Sequence, residues 1–303
     1  MKNYDHFKGV IPPISTLFDK QGQFDKESMS KLIDQVIDSR VHGLLILGSG
    51  GEFNELNTSS RKKIAEYCVE YVNKRVPVFI GTGSNSTNEA IELTSHAKTL
   101  DADGVFIINP YYWQLTEEDL FKHYNSIAKS VDIPIFLYNF PNLTGQPISV
   151  SLVMKLVETN ANIIGIKETI DSVDRISEMI QVVKAKYGYF KVFAGLDVHL
   201  ANTLLMGGDG VIPGTANFAP QLTLGIYEMF QKGNLKIMAD LQKKLTKLSK
   251  IYNIKSPIYI SIKEAINQSS MEIPTFVQPP AQKLNKSEIK QLQEILKSVE
   301  LIN

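Results

Sequence analysis

Cysteine is almost absent from this sequence. Cys68 is the only one, so no internal disulfide can form, and it reads as a packed core thiol in the helical-looking stretch Lys63 to Val72. The five histidines, at 6, 42, 96, 123 and 199, have neither metal-ligand spacing nor a clustered carboxylate set, which argues against a metal site. Neither sign of charge is in excess. Lys plus Arg number 32, Asp plus Glu also number 32, and no long basic run occurs. That excludes an obvious nucleic-acid or membrane surface and leaves small molecules as the expected partners. No apolar run approaches the length of a membrane span, and Met1 to Lys8 is polar without the apolar core of a secretory signal. A cytoplasmic location is the expectation.

What is present is a strong rhythm. With 303 residues, 43% of them hydrophobic, the chain can bury one large core or two ordinary ones. Short runs rich in Ile, Val and Leu alternate with longer segments of helical period. The predicted strands are Gly9 to Pro13, Gly43 to Leu47, Val76 to Ile80, Gly104 to Ile108, Ile133 to Tyr138, Ile163 to Lys167, Phe190 to Ala194 and Gly210 to Ile212. Between the first two, Met29, Leu32, Ile33, Val36 and Ile37 fall on one face of a predicted helix over Ser28 to Arg40. Ser86-x-x-Glu89 and Thr116-x-x-Asp119 carry the pattern that caps a first turn, and Pro220 suits the start of another helix.

Strands that are apolar throughout need cover on both faces, as parallel sheets wrapped by helices have. Eight strand–helix units predict an α/β protein, a (β/α)8 TIM barrel, over an open doubly wound sheet. The nucleotide-binding form of that alternative would want a glycine fingerprint after the first strand, and none follows Gly9 to Pro13. After about residue 231 the strands stop. Three helices are predicted there, Leu235 to Tyr252, Pro257 to Gln268 and Lys286 to Leu301. The expected division is therefore a barrel carrying the site over 1–231 and a C-terminal helical extension packed on it over 232–303.

In such barrels the chemistry lies at the carboxyl ends of the strands. There Lys167 ends the apolar run Ile163-Ile164-Gly165-Ile166 and is followed by Glu168 and Thr169. Such a lysine either lays its stem on apolar surface with its head in water or, partly desolvated, acts as an imine-forming nucleophile. The other strand ends carry Gly48-Ser49-Gly50-Gly51-Glu52, Asn109-Pro110-Tyr111-Tyr112-Trp113 and Tyr138-Asn139-Phe140-Pro141. Ser49 with Gly50 and Gly51 is either an ordinary turn or a cradle for a carboxylate, and the tyrosines either pack or shuttle protons. Together an amine, a phenol and an anion cradle fit carbonyl chemistry.

These segments resemble the pyruvate-dependent class I aldolases that include dihydrodipicolinate synthase and N-acetylneuraminate lyase. The motifs are GSGGE at 48–52, NPYYW at 109–113, YNFPNLTG at 138–145, IIGIKET at 163–169 and GGDGVIPGTAN at 207–217. The resemblance implies a barrel with a helical C-terminal part, commonly a homotetramer of paired dimers, and no cofactor beyond a covalent imine through Lys167. It implies that Tyr138 moves protons, that Ser49 relays them and helps to bind the carboxylate, and that Tyr112 reaches across a subunit interface. Ile212 matches a position whose backbone lies beside the substrate.

Departures separate the members. Leu143 stands where the synthase usually has an arginine for the incoming carboxylate, and Asp197 is followed by Val198 where the sialic-acid lyase usually has an Asp-Glu pair. The segments IPPISTLF at 11–18, LYNFPNLTGQ at 137–146 and KETIDSV at 167–173 look most like bacterial aldolases for 2-keto-3-deoxygluconate or its galactonate epimer. On that resemblance Thr169, Asp197 and Asn217 are candidates to bind sugar hydroxyls. The synthase, the sialic-acid lyase and a non-catalytic binding barrel are the alternatives.

Overall fold

Eight apolar runs form eight parallel strands in the computed structural model, which describes residues 4–303. The first three residues of the polar stretch Met1 to Lys8 lie outside the described residues. The strands are β1 (Gly9–Val10), β2 (Leu44–Ile46), β3 (Val78–Gly81) and β4 (Gly104–Ile108). They continue with β5 (Ile135–Asn139), β6 (Ile163–Glu168), β7 (Lys191–Ala194) and β8 (Gly210–Val211). Each consecutive pair from β2 to β8 is hydrogen-bonded, and β8 returns to β1. A parallel bridge between Pro13 and Leu45, with Leu45 N donating to Pro12 O at 2.9 Å, joins the first strand to the second and closes the ring. The first strand is shorter than the predicted Gly9 to Pro13. Pro12 and Pro13 have no N–H to give to a ladder, so regular pairing ends at Val10.

The inside and outside of the barrel are distinct apolar layers. Ile11, Leu45, Phe79, Phe106, Phe136, Ile164, Phe193 and Ile212 meet on the axis, each from a strand or its continuation, with Phe7 below them. Phe106 stacks on Phe136 at 4.7 Å. The outer layer joins the alternate strand residues, among them Ile135, Leu137, Ile163, Ile166 and Val192, to the surrounding helices. Cys68 lies in that layer, fully buried on the helix Thr58–Val72, and burial pushes its thiol pKa up.

Helix ends follow side-chain chemistry. The first helix begins at Lys26 rather than Ser28, because Asp25 Oδ1 accepts from Ser28 N at 3.0 Å. Thr116 caps Glu117–Ser130 through Asp119 N at 3.2 Å. Ser86 caps Thr87–Thr99, but the Glu89 carboxylate does not close the reciprocal box. It is held by the hydroxyls of Ser84 and Thr58. Beyond Pro220–Gln231 come the helices Leu235–Leu248, Tyr259–Ser269 and Lys286–Ser298, each ending short of its predicted limit or starting later. The first of them runs on as a 3-10 turn over Ser249–Asn253.

Candidate active site

β6 holds the feature that aims Lys167. Ile135 pairs with Ile163, but Phe136 pairs with Gly165, so one residue is inserted between them. Strand side chains alternate faces, and one extra residue reverses the alternation. Ile163 and Ile166, three apart, therefore both face the outer layer, while Ile164 faces the axis. Lys167 then comes level with Tyr138. Gly165 makes the insertion possible: a Cβ there would stand 2.6 Å from the Phe136 ring and 2.7 Å from Lys191 O.

The result is a small polar layer above the apolar axis. Lys167 Nζ lies 4.0 Å from the Tyr138 ring centroid, and both residues are 4% exposed. The Tyr138 hydroxyl lies 3.1 Å from Ser49 Oγ. Ser49 opens a tight turn, Ser49–Gly51, closed by Gly51 N donating to Gly48 O at 2.8 Å and tethered by Thr16 Oγ1 donating to Gly51 O at 2.7 Å. Gly51 is packed closely, since a Cβ would meet Ile14 O and Thr16 Oγ1 at 3.2 Å. An amine, a phenol and a hydroxyl thus form one line across β6, β5 and the end of β2.

Ser49 also forms part of a cavity of about 220 Å³ that leads away from this line. Its walls are Phe53, Asn54, Ile108, Tyr111, Phe140, Leu143 and Thr144 on the barrel side, and Ser256, Pro257, Ile258 and Tyr259 on the C-terminal side. Phe53 is backed by Arg61, whose guanidinium lies 5.1 Å from the ring centroid and donates to Gly81 O and Gly83 O at 3.0 Å. Burial lowers that guanidinium to about 10.

Behind the face that carries Lys167 and Tyr138, the opposite faces of the same strand ends are locked. Asn139 Nδ2 donates to Glu168 Oε2 at 2.6 Å, Ile148 N donates to Asn139 Oδ1 at 3.0 Å, and Arg175 pairs with Glu168 at 3.1 Å. Burial raises the Glu168 carboxyl pKa against the pull of Arg175 and Asn139. Sequence reasoning did not single out Asn139, Glu168, Arg175 or Arg61. The available signal was a polar residue next to each of Tyr138 and Lys167 on strands otherwise apolar.

The remaining candidates divide. Thr169 is buried at the end of β6, and its Oγ1 has no hydrogen-bond partner. Gly50 has room around it, with Pro13 O at 3.6 Å from a built Cβ. The Ile212 side chain belongs to the axial layer. Asp197 is enclosed and does not face the cavity. Thr215 Oγ1 donates to one carboxylate oxygen, Tyr252 OH to the other at 2.8 Å, and burial raises its pKa. Asn217 is likewise engaged with Ser15 N, Pro13 O and Gly214 O, each at 2.9 Å, so it ties the first strand to the last. Tyr112 and Trp113 point outward, 77% and 73% exposed, with their rings 5.3 Å apart. Among the described residues no group of three or more His, Cys, Asp or Glu could hold a metal ion.

Comparison with known proteins gives a consistent result. Residues 6–299 match the model of the dihydrodipicolinate synthetase family. The chain is 43% identical over 295 residues to the putative 2-dehydro-3-deoxy-D-gluconate aldolase YagE of Escherichia coli K12, covering 97% of this chain and 98% of that protein. It is 46% identical over 274 residues to the probable 2-dehydro-3-deoxy-D-pentonate aldolase YjhH of the same organism, covering 90% and 91%. The crystal structure of YagE in complex with pyruvate superposes with a TM-score of 0.96, covering 98% of this chain and 99% of that one.

Proposed function

Because this chain belongs to the dihydrodipicolinate synthetase family, it is a pyruvate-dependent class I aldolase, and we propose that it cleaves a 2-keto-3-deoxy sugar acid to pyruvate and an aldehyde. The observation that carries this reading is the line Lys167, Tyr138, Ser49, with the cavity beginning at Ser49. Leu143 in the cavity wall supports it over the synthase reaction. An aldehyde bearing a carboxylate would want a bidentate cation, and leucine offers none.

The Lys167 amine attacks the C2 ketone, and the carbinolamine hydroxyl leaves as water with the Tyr138 proton, giving the iminium and a Tyr138 phenolate. The carboxylate rests on Ser49 Oγ and the amides of the glycine turn, where Gly50 and Gly51 let the backbone come close. The C4 hydroxyl proton then passes to the Tyr138 phenolate oxygen, in reach of Ser49. The C3–C4 bond breaks and its electron pair moves into the iminium, leaving the pyruvate enamine on Lys167 and freeing the aldehyde. Protonation at C3 and hydrolysis release pyruvate and restore the amine. Run backwards, the enamine adds to an aldehyde.

Thr169 Oγ1, lacking a partner in the chain, serves a substrate hydroxyl at the β6 end. Ile212 contributes backbone only. The Asp197 oxygens are already taken by Thr215 and Tyr252, which supports a structural duty for it more than a sugar-binding one. The protein works in the cytoplasm as a homotetramer, and the outward Tyr112 with Trp113 meets a second copy. Light scattering on the purified protein tests the assembly. For the reaction, 2-keto-3-deoxygluconate is supplied and pyruvate release is followed by coupled lactate dehydrogenase. Release that disappears in Lys167→Ala supports the reading, and release that persists in that variant refutes it.

A further inference from the structure

The carboxyl ends of the strands and the C-terminal helices are joined beside the cavity by two side-chain rungs. Glu52 follows the Ser49–Gly51 turn in a left-handed conformation, φ 58°. Its carboxylate receives the ammonium of Lys263 from the helix Tyr259–Ser269, and both side chains are fully enclosed. Gln278 N donates to the other carboxylate oxygen at 3.0 Å, and Lys263 also donates to Phe276 O at 2.8 Å. One turn earlier on that helix, Tyr259 OH donates to Glu55 Oε1 at 3.1 Å. Spacings of three in the loop and four on the helix put both rungs on one helix face. Tyr259 itself is a wall of the cavity, opposite the loop that carries Ser49.

An ion pair withdrawn this far from water contributes little net stability, because desolving both charges offsets most of their attraction. What it does supply is a fixed separation between the two segments it joins. We propose that the Glu52–Lys263 pair is a positioning clamp, setting the Ser49–Gly51 turn against the Tyr259 wall so that the turn's hydroxyl and amides are aligned for the pyruvate carboxylate. The C-terminal helices are in this way part of the catalytic apparatus. The inference rests on the aldolase reading of Lys167. Glu52 and Lys263 are positioning residues, since neither lines the cavity. The turn is tethered separately at Gly51 by Thr16, so loss of the clamp disorients it without releasing it.

The double variant Glu52→Gln/Lys263→Met removes both charges together and leaves no lone ion inside. Tyr259→Phe removes only the hydrogen bond of the second rung. For each, thermal unfolding, the rate at which borohydride traps pyruvate on Lys167, and KM and kcat for pyruvate release are measured. The double variant is expected to trap pyruvate on the order of 10–100-fold more slowly at low pyruvate, with saturating pyruvate restoring the yield. Tyr259→Phe shifts KM in the same direction by a smaller factor. Folded variants with wild-type trapping rates and KM overturn the clamp, and if the double variant does not fold, Lys263→Arg, which keeps the charge but changes the length of the pair, decides on the same readouts. Failure of the wild type to trap pyruvate at all overturns the aldolase reading, and the clamp with it.

Discussion

Lys167 and Tyr138 are register partners across β6 and β5, with the Lys167 nitrogen 4.0 Å from the centre of the tyrosine ring. The ring packs against the amine, while the hydroxyl reaches Ser49 at 3.1 Å. The two functions of Tyr138 are therefore separable. Tyr138→Phe keeps the ring and removes the proton carrier, so kcat is expected to fall about 10²–10⁴-fold while pyruvate still forms an imine. Steady-state kinetics beside borohydride trapping checks this; unchanged kcat would remove Tyr138 from the proton path.

Gly165 is expected to be intolerant of even one methyl group. Gly165→Ala drives a Cβ into the Phe136 ring and Lys191 O. Overpacking of this kind costs about 1–3 kcal/mol, read as a lowered denaturant midpoint. Because the same residue sets which face Lys167 takes, activity per folded molecule is expected to fall too. A variant that is destabilised yet fully active would show that the inserted residue does not aim Lys167.

Leu143 lies in the cavity wall and is 55% exposed, so a charged replacement has water for its head group. Leu143→Arg is expected to improve use of aspartate semialdehyde with pyruvate by about tenfold, through a bidentate contact to the aldehyde's carboxylate. No gain in that reaction would mean that this position does not govern the choice of aldehyde.

His123 gives a pH dependence of stability. It is 4% exposed, with one ring nitrogen 2.9 Å from Thr87 Oγ1 and the other unpartnered, and burial lowers its pKa from 6.5 to about 4. Between those values the unfolded chain binds a proton that the folded one refuses, so stability falls as pH drops from about 6.5 towards 4. The loss levels off below that, after up to about 3 kcal/mol. Unfolding free energies of wild type and His123→Gln across this range should converge at low pH. Parallel curves would assign the acid sensitivity to other groups.

The barrel was legible because strand and helix periods are local properties, and six of the eight strands overlap their predicted spans for three residues or more. Lys167 and Tyr138 were legible because polar groups ending apolar strands are conspicuous. The inserted residue at Ile164-Gly165 was not, since it depends on the ring of Phe136 across the sheet. Nor was the Glu52–Lys263 pair, whose members lie 211 residues apart and meet only once the C-terminal helices fold back. Asp197 and Asn217 read as free polar groups in sequence, yet the fold engages both in ties between barrel ends.

The central claim is that the Lys167 amine forms an imine with pyruvate. Borohydride reduction in the presence of pyruvate, followed by peptide mapping by mass spectrometry, tests it directly. The predicted result is a single reduced pyruvate adduct on Lys167, absent from Lys167→Ala. An adduct on another lysine, or none on the active wild-type protein, would contradict it.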